Sequence, residues 1–277
     1  MTTTSQQLGD TSPAASADGL YGRLPRRAWL PLELAIVAAL VFAYDRIHNL
    51  AETRTSLSFH DGFQVLTTER HLGLAFELPA NVWLAAHHQL AEISSWYYQL
   101  AHLTVTLLVL VACYIYRPDI YRAARNALVL INVVGLVVFW VYPVAPPRLL
   151  PGSGFIDVTQ VTGVAAAASS TAAPNQYAAM PSLHTAWAVW VAVIVFLLVR
   201  VWWVRVLSVV HPVLTVMVII TTGNHYFLDA VAGAAVALAA AAVVGLLPGL
   251  WWFEADREGA GDAAPSLPRQ AREVEPG

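Results

Sequence analysis

Met180-Pro181-Ser182-Leu183-His184-Thr185-Ala186 and, about forty residues on, Gly223-Asn224-His225-Tyr226-Phe227-Leu228-Asp229 are the two stretches on which the reading of this chain turns. In each, a short polar segment runs directly into a long apolar one. The surrounding sequence sets the class of protein: 57% of the 277 residues are hydrophobic, 12% are charged and the mean hydropathy is +0.57. Soluble domains carry about a quarter charged residues, so the chain reads as an integral membrane protein. The net charge of −3 is small and the basic residues are scattered, which argues against a nucleic-acid partner. All 15 basic residues are arginine, excluding a lysine Schiff base, a lysine nucleophile and a P-loop lysine. Cys113 is the one cysteine. It can form no internal disulfide and reads as a small buried hydrophobe.

The chain is expected to be all-α, a bundle of six transmembrane helices with interfacial helices between spans one and two and between spans three and four. Residues 1–22 are polar and aperiodic and read as a disordered tail, too polar for a signal peptide. Apolar runs at about 28–45, 94–116, 126–145, 182–199, 202–222 and 226–249 are the six spans, within a membrane domain over 23–252. Trp96, Tyr97 and Tyr98 open the second span and Tyr114 and Tyr116 close it, as an aromatic belt would. Residues 46–93 mix charges, histidines and apolar residues, consistent with short helices at the interface that either cover the site or merely connect two spans. The segment 117–125 reads as a basic loop and 146–180 as a second non-spanning stretch. Residues 253–277 form a polar, disordered tail.

Counting arginines at alternate ends orients the bundle. One side holds 23, 26, 27, 117, 122, 125, 200, 205, 257, 269 and 272; the other holds 46, 54, 70 and 148. The excess of positive charge places both termini in the cytoplasm. The edges carrying His184 and His225 then share the extracytoplasmic face of a cell membrane.

Each candidate site residue has its chemistry. Ser182 is placed to cap the helix that begins beside it, and a helix start with unpaired N–H groups is an anion site. His184, at that start, can give or take a proton at a bound phosphate, or can simply be an imidazole satisfied by water. His225 and Asp229 are four apart, on one face of a helix. A carboxylate in a span is costly to insert, and one that holds an imidazole fixes its tautomer and frees the other nitrogen as base, nucleophile or ligand. Arg148, after Pro146-Pro147, is stiffly placed to clamp a phosphate, or to snorkel. His102 and His211, inside spans, read as structural, His211 beside the kink of Pro212.

Taken together, Pro181-Ser182-Leu183-His184 and His225-Tyr226-Phe227-Leu228-Asp229 resemble the second and third motifs of the type 2 phosphatidic acid phosphatase superfamily. The resemblance spans about 126–245. It is nearest the branch of inositol phosphorylceramide synthases, where Leu replaces the Gly of Pro-Ser-Gly-His. It implies His225 as the nucleophile that forms a phosphohistidine, Asp229 as its orienting carboxylate, and His184 as acid and then base. Ser182 and the backbone N–H groups near it, Leu183 among them, would hold the phosphate oxygens. No cofactor and no metal is then expected, because arginines and N–H groups supply the positive field. The partners would be a lipid phosphoester, the bilayer and an alcohol or polyol acceptor.

The pattern also departs from the family. Leu110 stands where the first motif's Lys precedes Arg-Pro, and Arg117-Pro118 falls on the cytoplasmic side, so that pair reads as a lookalike. Val218 and Ile219 replace the third motif's Ser-Arg. Arg148 is the candidate replacement, with Arg46, Arg54 and Arg70 as further donors. The expected activity is headgroup transfer between lipids or polyols. Dephosphorylation of a lipid phosphate or isoprenyl diphosphate is the alternative. A metal-dependent hydrolase built on His184, His225 and Asp229, and a non-catalytic lipid-binding or transport protein, are the rival classes.

Overall fold

Arg117 shows how the sequence sets the helix boundaries. As the residue before Pro118 it is pushed out of helical conformation (φ −139°, ψ 63°) and ends one long helix, while Pro118 opens the next as its first residue. The computed structural model describes residues 54–74, 76–168 and 177–246, with isolated positions between 31 and 46. Both expected tails and two thirds of the expected first span lie outside these residues.

Among the described residues the chain is all-helical and has no strand; Val144 and Ala178 form an isolated bridge. Helices α1 (Thr55–His71) and α2 (Glu77–Ala85) occupy the 46–93 segment. Then come α3 (His88–Tyr116) and α4 (Pro118–Val141). A 3-10 turn (Pro147–Leu149) and two short helices, α5 (Val158–Val161) and α6 (Val164–Ala168), follow. The series ends with α7 (Leu183–Leu198), α8 (Trp202–Thr221) and α9 (Phe227–Val243). The stretch expected as a basic loop at 117–125 is helical from Pro118 onward, and α3 begins six residues before the expected 94 because no Gly or Pro interrupts 88–93. Three helices, α3, α4 and α8, are long and apolar enough to cross a membrane; α7 and α9 are shorter apolar helices.

Helix α7 is the hub, packed against α3, α4, α8 and α9. It is apolar nearly all round, as a helix enclosed by others must be. Trp190 and Ile194 from α7, Ile131 from α4 and Ala237 and Ala240 from α9 fill the core, and Trp190 Nε1 donates to Ala124 O at 2.9 Å. The buried face of α9 is small: Ala230, Gly233, Ala237, Ala240 and Ala241. Small side chains let helix backbones approach closely. At Gly233 a Cβ would lie 2.2 Å from Ser182 O, so this glycine is what allows α9 to cross the start of α7. Outward faces of α3 (Leu107, Leu108, Val111) and α8 (Leu207, Val213, Met217) expose apolar side chains, the surface a membrane protein offers to lipid.

Helices α1 and α2 are fastened to the end of the bundle where α7 and α9 begin. Fully buried Asn81 donates to Ile156 O (3.0 Å) and Thr221 O (2.9 Å) and accepts from Ile156 N (2.7 Å). Ala145 N donates to Ser58 O at 2.9 Å. Helices α1 and α2 are therefore packed onto this end of the bundle.

Candidate active site

Pro181 and Ser182 bring the chain into α7 in extended conformation, and Ser182 Oγ accepts the N–H of Thr185 at 3.3 Å. This hydroxyl cap, completely buried, leaves the N–H groups of Leu183 and His184 with no partner among the described residues. The same backbone is tied to the second motif, since Ser182 N donates to Asp229 O at 3.0 Å. His184 is the second residue of α7. Its ring stacks on Tyr98 (4.5 Å between centroids, 19°) and lies 4.2 Å from His102 and 5.4 Å from His225.

His225 sits before α9, whose first residue is Phe227, so it meets Asp229 across the helix start and not along a helix face. Gly223 makes the turn possible: its φ is +76°, and a Cβ there would face Asn81 Nδ2 and Ile156 O at 3.1 Å each. His225 Nδ1 lies 2.9 Å from Ala179 O and 3.3 Å from Asp229 Oδ2. A carbonyl and a carboxylate can only accept, so Nδ1 carries a proton, and in the neutral ring Nε2 keeps its lone pair. Asp229 is fully buried; Oδ2 also takes Tyr226 N at 2.9 Å, while Oδ1 has no partner among the described residues. The buried ring of Tyr226 is anchored by its hydroxyl, which donates to Ala145 O at 2.8 Å.

Arg148 reaches the same loop from the 3-10 turn. Its backbone N–H donates to Gly223 O (3.0 Å), Nε donates to Asn224 Oδ1 (2.8 Å) and Nη1 pairs with Asp157 Oδ2 (2.6 Å). Only Nη2 takes no partner among the described residues, so most of this guanidinium holds the His225 loop in place. Arg54 donates to Trp140 O, whereas Arg117 pairs with Asp119 and donates to Leu197 O at the far end of α7. His184 is the second of the 16 residues of α7, so Leu197 lies about 20 Å along the helix from it at 1.5 Å per residue.

The structure thus brings His184, His225, Asp229, Ser182 and the Leu183 N–H together, with Arg148 braced beside them. His211 is elsewhere, bonded to Tyr97 OH at 2.9 Å. Sequence reading missed two contributions. His102, taken as structural, lies against His184; its one legible signal is its placement one turn after Tyr98, on the same face of α3. Glu69 and Glu77, from α1 and α2, are buried at the start of α9, where Glu69 Oε1 accepts Leu228 N at 2.7 Å and Glu77 Oε1 accepts Phe227 N. Burial pushes both carboxyls up, Glu77 to about 9, with Glu69 beside it adding like-charge repulsion. Among the described residues no group of three or more His, Cys, Asp or Glu is placed to hold a metal ion.

An unprotonated imidazole nitrogen beside a second imidazole and an anion-receptive helix start is a constellation for group transfer at phosphorus, set at one end of a membrane bundle. A sequence model of the PAP2 superfamily matches residues 63–243, from within α1 to the end of α9, and the chain belongs to that superfamily. It is accordingly a membrane enzyme of the phosphatase type, acting on lipid phosphoesters. No curated protein and no solved structure matches the chain.

Proposed function

We propose that the protein is a metal-independent phosphotransferase that moves a phospho-headgroup from a lipid-linked phosphoester to an alcohol or polyol, as inositol phosphorylceramide synthases do. Nε2 of His225 carries this reading: Ala179 and Asp229 hold the proton on Nδ1, which leaves a basic lone pair 5.4 Å, ring to ring, from His184. In the first step Nε2 attacks phosphorus, the bond to the leaving oxygen breaks, and His184 gives that oxygen a proton. Asp229 balances the charge of the phosphorylated imidazole. In the second step His184 takes the proton of the acceptor hydroxyl, its oxygen attacks phosphorus, and the P–N bond breaks. Leu183 N–H, His184 N–H and Arg148 Nη2 are the donors for the phosphate oxygens.

The weak positive field favours transfer over simple dephosphorylation. Leu110, Val218 and Ile219 stand where basic or hydroxyl groups are expected, and Arg148 is largely neutralised by Asp157. A phosphodiester carries one negative charge and a phosphomonoester nearly two, so the diester suits this site better. The arginine distribution supports six spans, cytoplasmic termini and a site on the extracytoplasmic face of the cell membrane.

The test is release of headgroup or phosphate from phosphatidylinositol and phosphatidate by detergent-purified protein in excess EDTA, with and without an added polyol or long-chain alcohol. Turnover is expected to survive EDTA, to need the acceptor, and to fall by roughly 10³-fold or more in His225→Ala, as for loss of a covalent nucleophile. Full activity in His225→Ala would remove the phosphohistidine step, and acceptor-independent release of phosphate would make the protein a phosphatase.

A further inference from the structure

Phe227 and Leu228 lie in the chain between His225 and Asp229, and their backbone N–H groups are the ones that Glu77 and Glu69 take. Three successive N–H groups at the start of α9, those of Tyr226, Phe227 and Leu228, therefore each end on a different carboxyl: Asp229, Glu77 and Glu69. The two glutamates are 1% and 2% exposed, and Glu69 Oε2 has no hydrogen-bond partner among the described residues. Burial, with the neighbouring Glu69 adding to it, pushes Glu77 up to about 9, so Glu77 keeps its proton at neutral pH. Neither belongs to the motifs that carry the family resemblance.

We propose that Glu69 and Glu77 are positioning residues of the reaction that clamp the first turn of α9 and so hold His225 and Asp229 in register for attack. The proposal rests on His225 being the nucleophile. Neither glutamate touches the reacting atoms; both act through the backbone that links the nucleophile to its partner carboxylate. A single turn frays easily when its N–H groups lose their acceptors, and a displacement of 1 Å at a reacting group costs about a hundredfold in rate.

The titratable groups around the pair are Asp229 and Tyr226 at the start of α9, Tyr142 after α4, and Asp61 on α1 with its neighbour His60. His225 lies beyond Asp229. The charge of Asp229 raises both carboxyls and that of Glu69 raises Glu77 further, so loss of the Glu77 proton would set buried carboxylates against one another. The first turn of α9 would then be pushed open. Since Glu77 in the folded chain lies above the value of an unfolded carboxyl, its contribution to stability is complete at low pH and is lost as the pH rises through about 9.

The experiment follows two readouts between pH 5 and 10 on the full chain in detergent: thermal unfolding without ligand, and turnover of phosphatidylinositol or phosphatidate. Wild-type midpoint and kcat are both expected to fall on the alkaline side, with KM nearly constant. Glu77→Ala should lose about ten- to a hundredfold in kcat at neutral pH, the penalty of a misplaced nucleophile. Glu77→Gln, whose amide keeps an acceptor for Phe227 N and cannot ionise, should recover most of that loss and abolish the alkaline fall in both readouts. Glu69→Gln serves as the second variant should Glu77→Ala fail to fold, with the same loss of the alkaline limb expected. Alkaline limbs that coincide in wild type and Glu77→Gln, or no limb in the wild type, would overturn the proposal. If His225→Ala retains turnover, the catalytic reading falls by itself, and a clamp that moves only the unfolding midpoint and not kcat is overturned as a positioning device.

Discussion

At the start of α7 a hydroxyl caps the helix: Ser182 Oγ takes the N–H of Thr185, and those of Leu183 and His184 are left without a partner among the described residues. At the start of α9 the opposite holds, because Asp229, Glu77 and Glu69 take the N–H groups of Tyr226, Phe227 and Leu228 in succession. Both helix starts carry the partial positive charge of the helix dipole, yet only one offers it to a ligand. The anion belongs at α7, beside His184, while the protein's own carboxyl groups take up the N–H donors at α9. A nucleophilic imidazole gains from this division. His225 must keep its lone pair for phosphorus, and the anionic surroundings at α9 stabilise the positive ring that forms as the bond is made.

Removing the carboxylate that orients His225 tests the α9 side most severely. Asp229→Asn keeps an acceptor for Tyr226 N but puts an amide where the anion balanced the imidazole, and kcat is expected to fall on the order of 10³-fold with KM little changed. Steady-state kinetics at saturating lipid checks this; a rise in KM alone would assign Asp229 to substrate binding. Gly233→Ala acts on the contact between the two starts. Its Cβ would fall 2.2 Å from Ser182 O, against backbone that cannot rotate away, so about 1–3 kcal/mol of stability should be lost through overpacking. Thermal unfolding measures the loss, and kcat should drop with it as α7 and α9 move apart. A variant destabilised to that degree with unchanged kcat would mean that the spacing of the two helix starts is not critical.

Local signals were legible in the sequence and long-range ones were not. Ser182 could be read as a cap and His184 as a helix-start imidazole because both depend on neighbours within one turn. The pairing of His225 with Asp229 was legible from their spacing, but not its form, since a helix face and a helix start give the same interval of four. Arg117 was separable from the site by sidedness alone, and it lies at the far end of α7. Glu69, Glu77 and Asn81 carried no signal, for their partners lie 159, 150 and 140 residues away in the chain. Scattered charges in a segment of mixed polarity look solvated, and only tertiary packing shows that these polar side chains are buried and bonded. Arg148 was legible as a stiffly held arginine after two prolines, but its commitment to Asp157 and Asn224 depended on folds of the chain that no spacing reveals.

The smallest expected effect is also the one that separates the two helix starts most directly. Ser182→Ala removes the acceptor of Thr185 N but leaves the backbone bond from Ser182 N to Asp229 O, so α7 should lose about 0.5–2 kcal/mol and remain folded. The freed first turn holds an anion less firmly. Inhibition by inorganic phosphate, a competitor that needs no headgroup or tail, should therefore weaken about fivefold, the equivalent of roughly 1 kcal/mol. Glu69→Gln alters the other start, where no anion is held, and should leave the phosphate inhibition constant at the wild-type value even as kcat responds. Equal weakening in both variants would mean that phosphate is bound across the two helix starts jointly, and the division of labour between α7 and α9 would have to be given up.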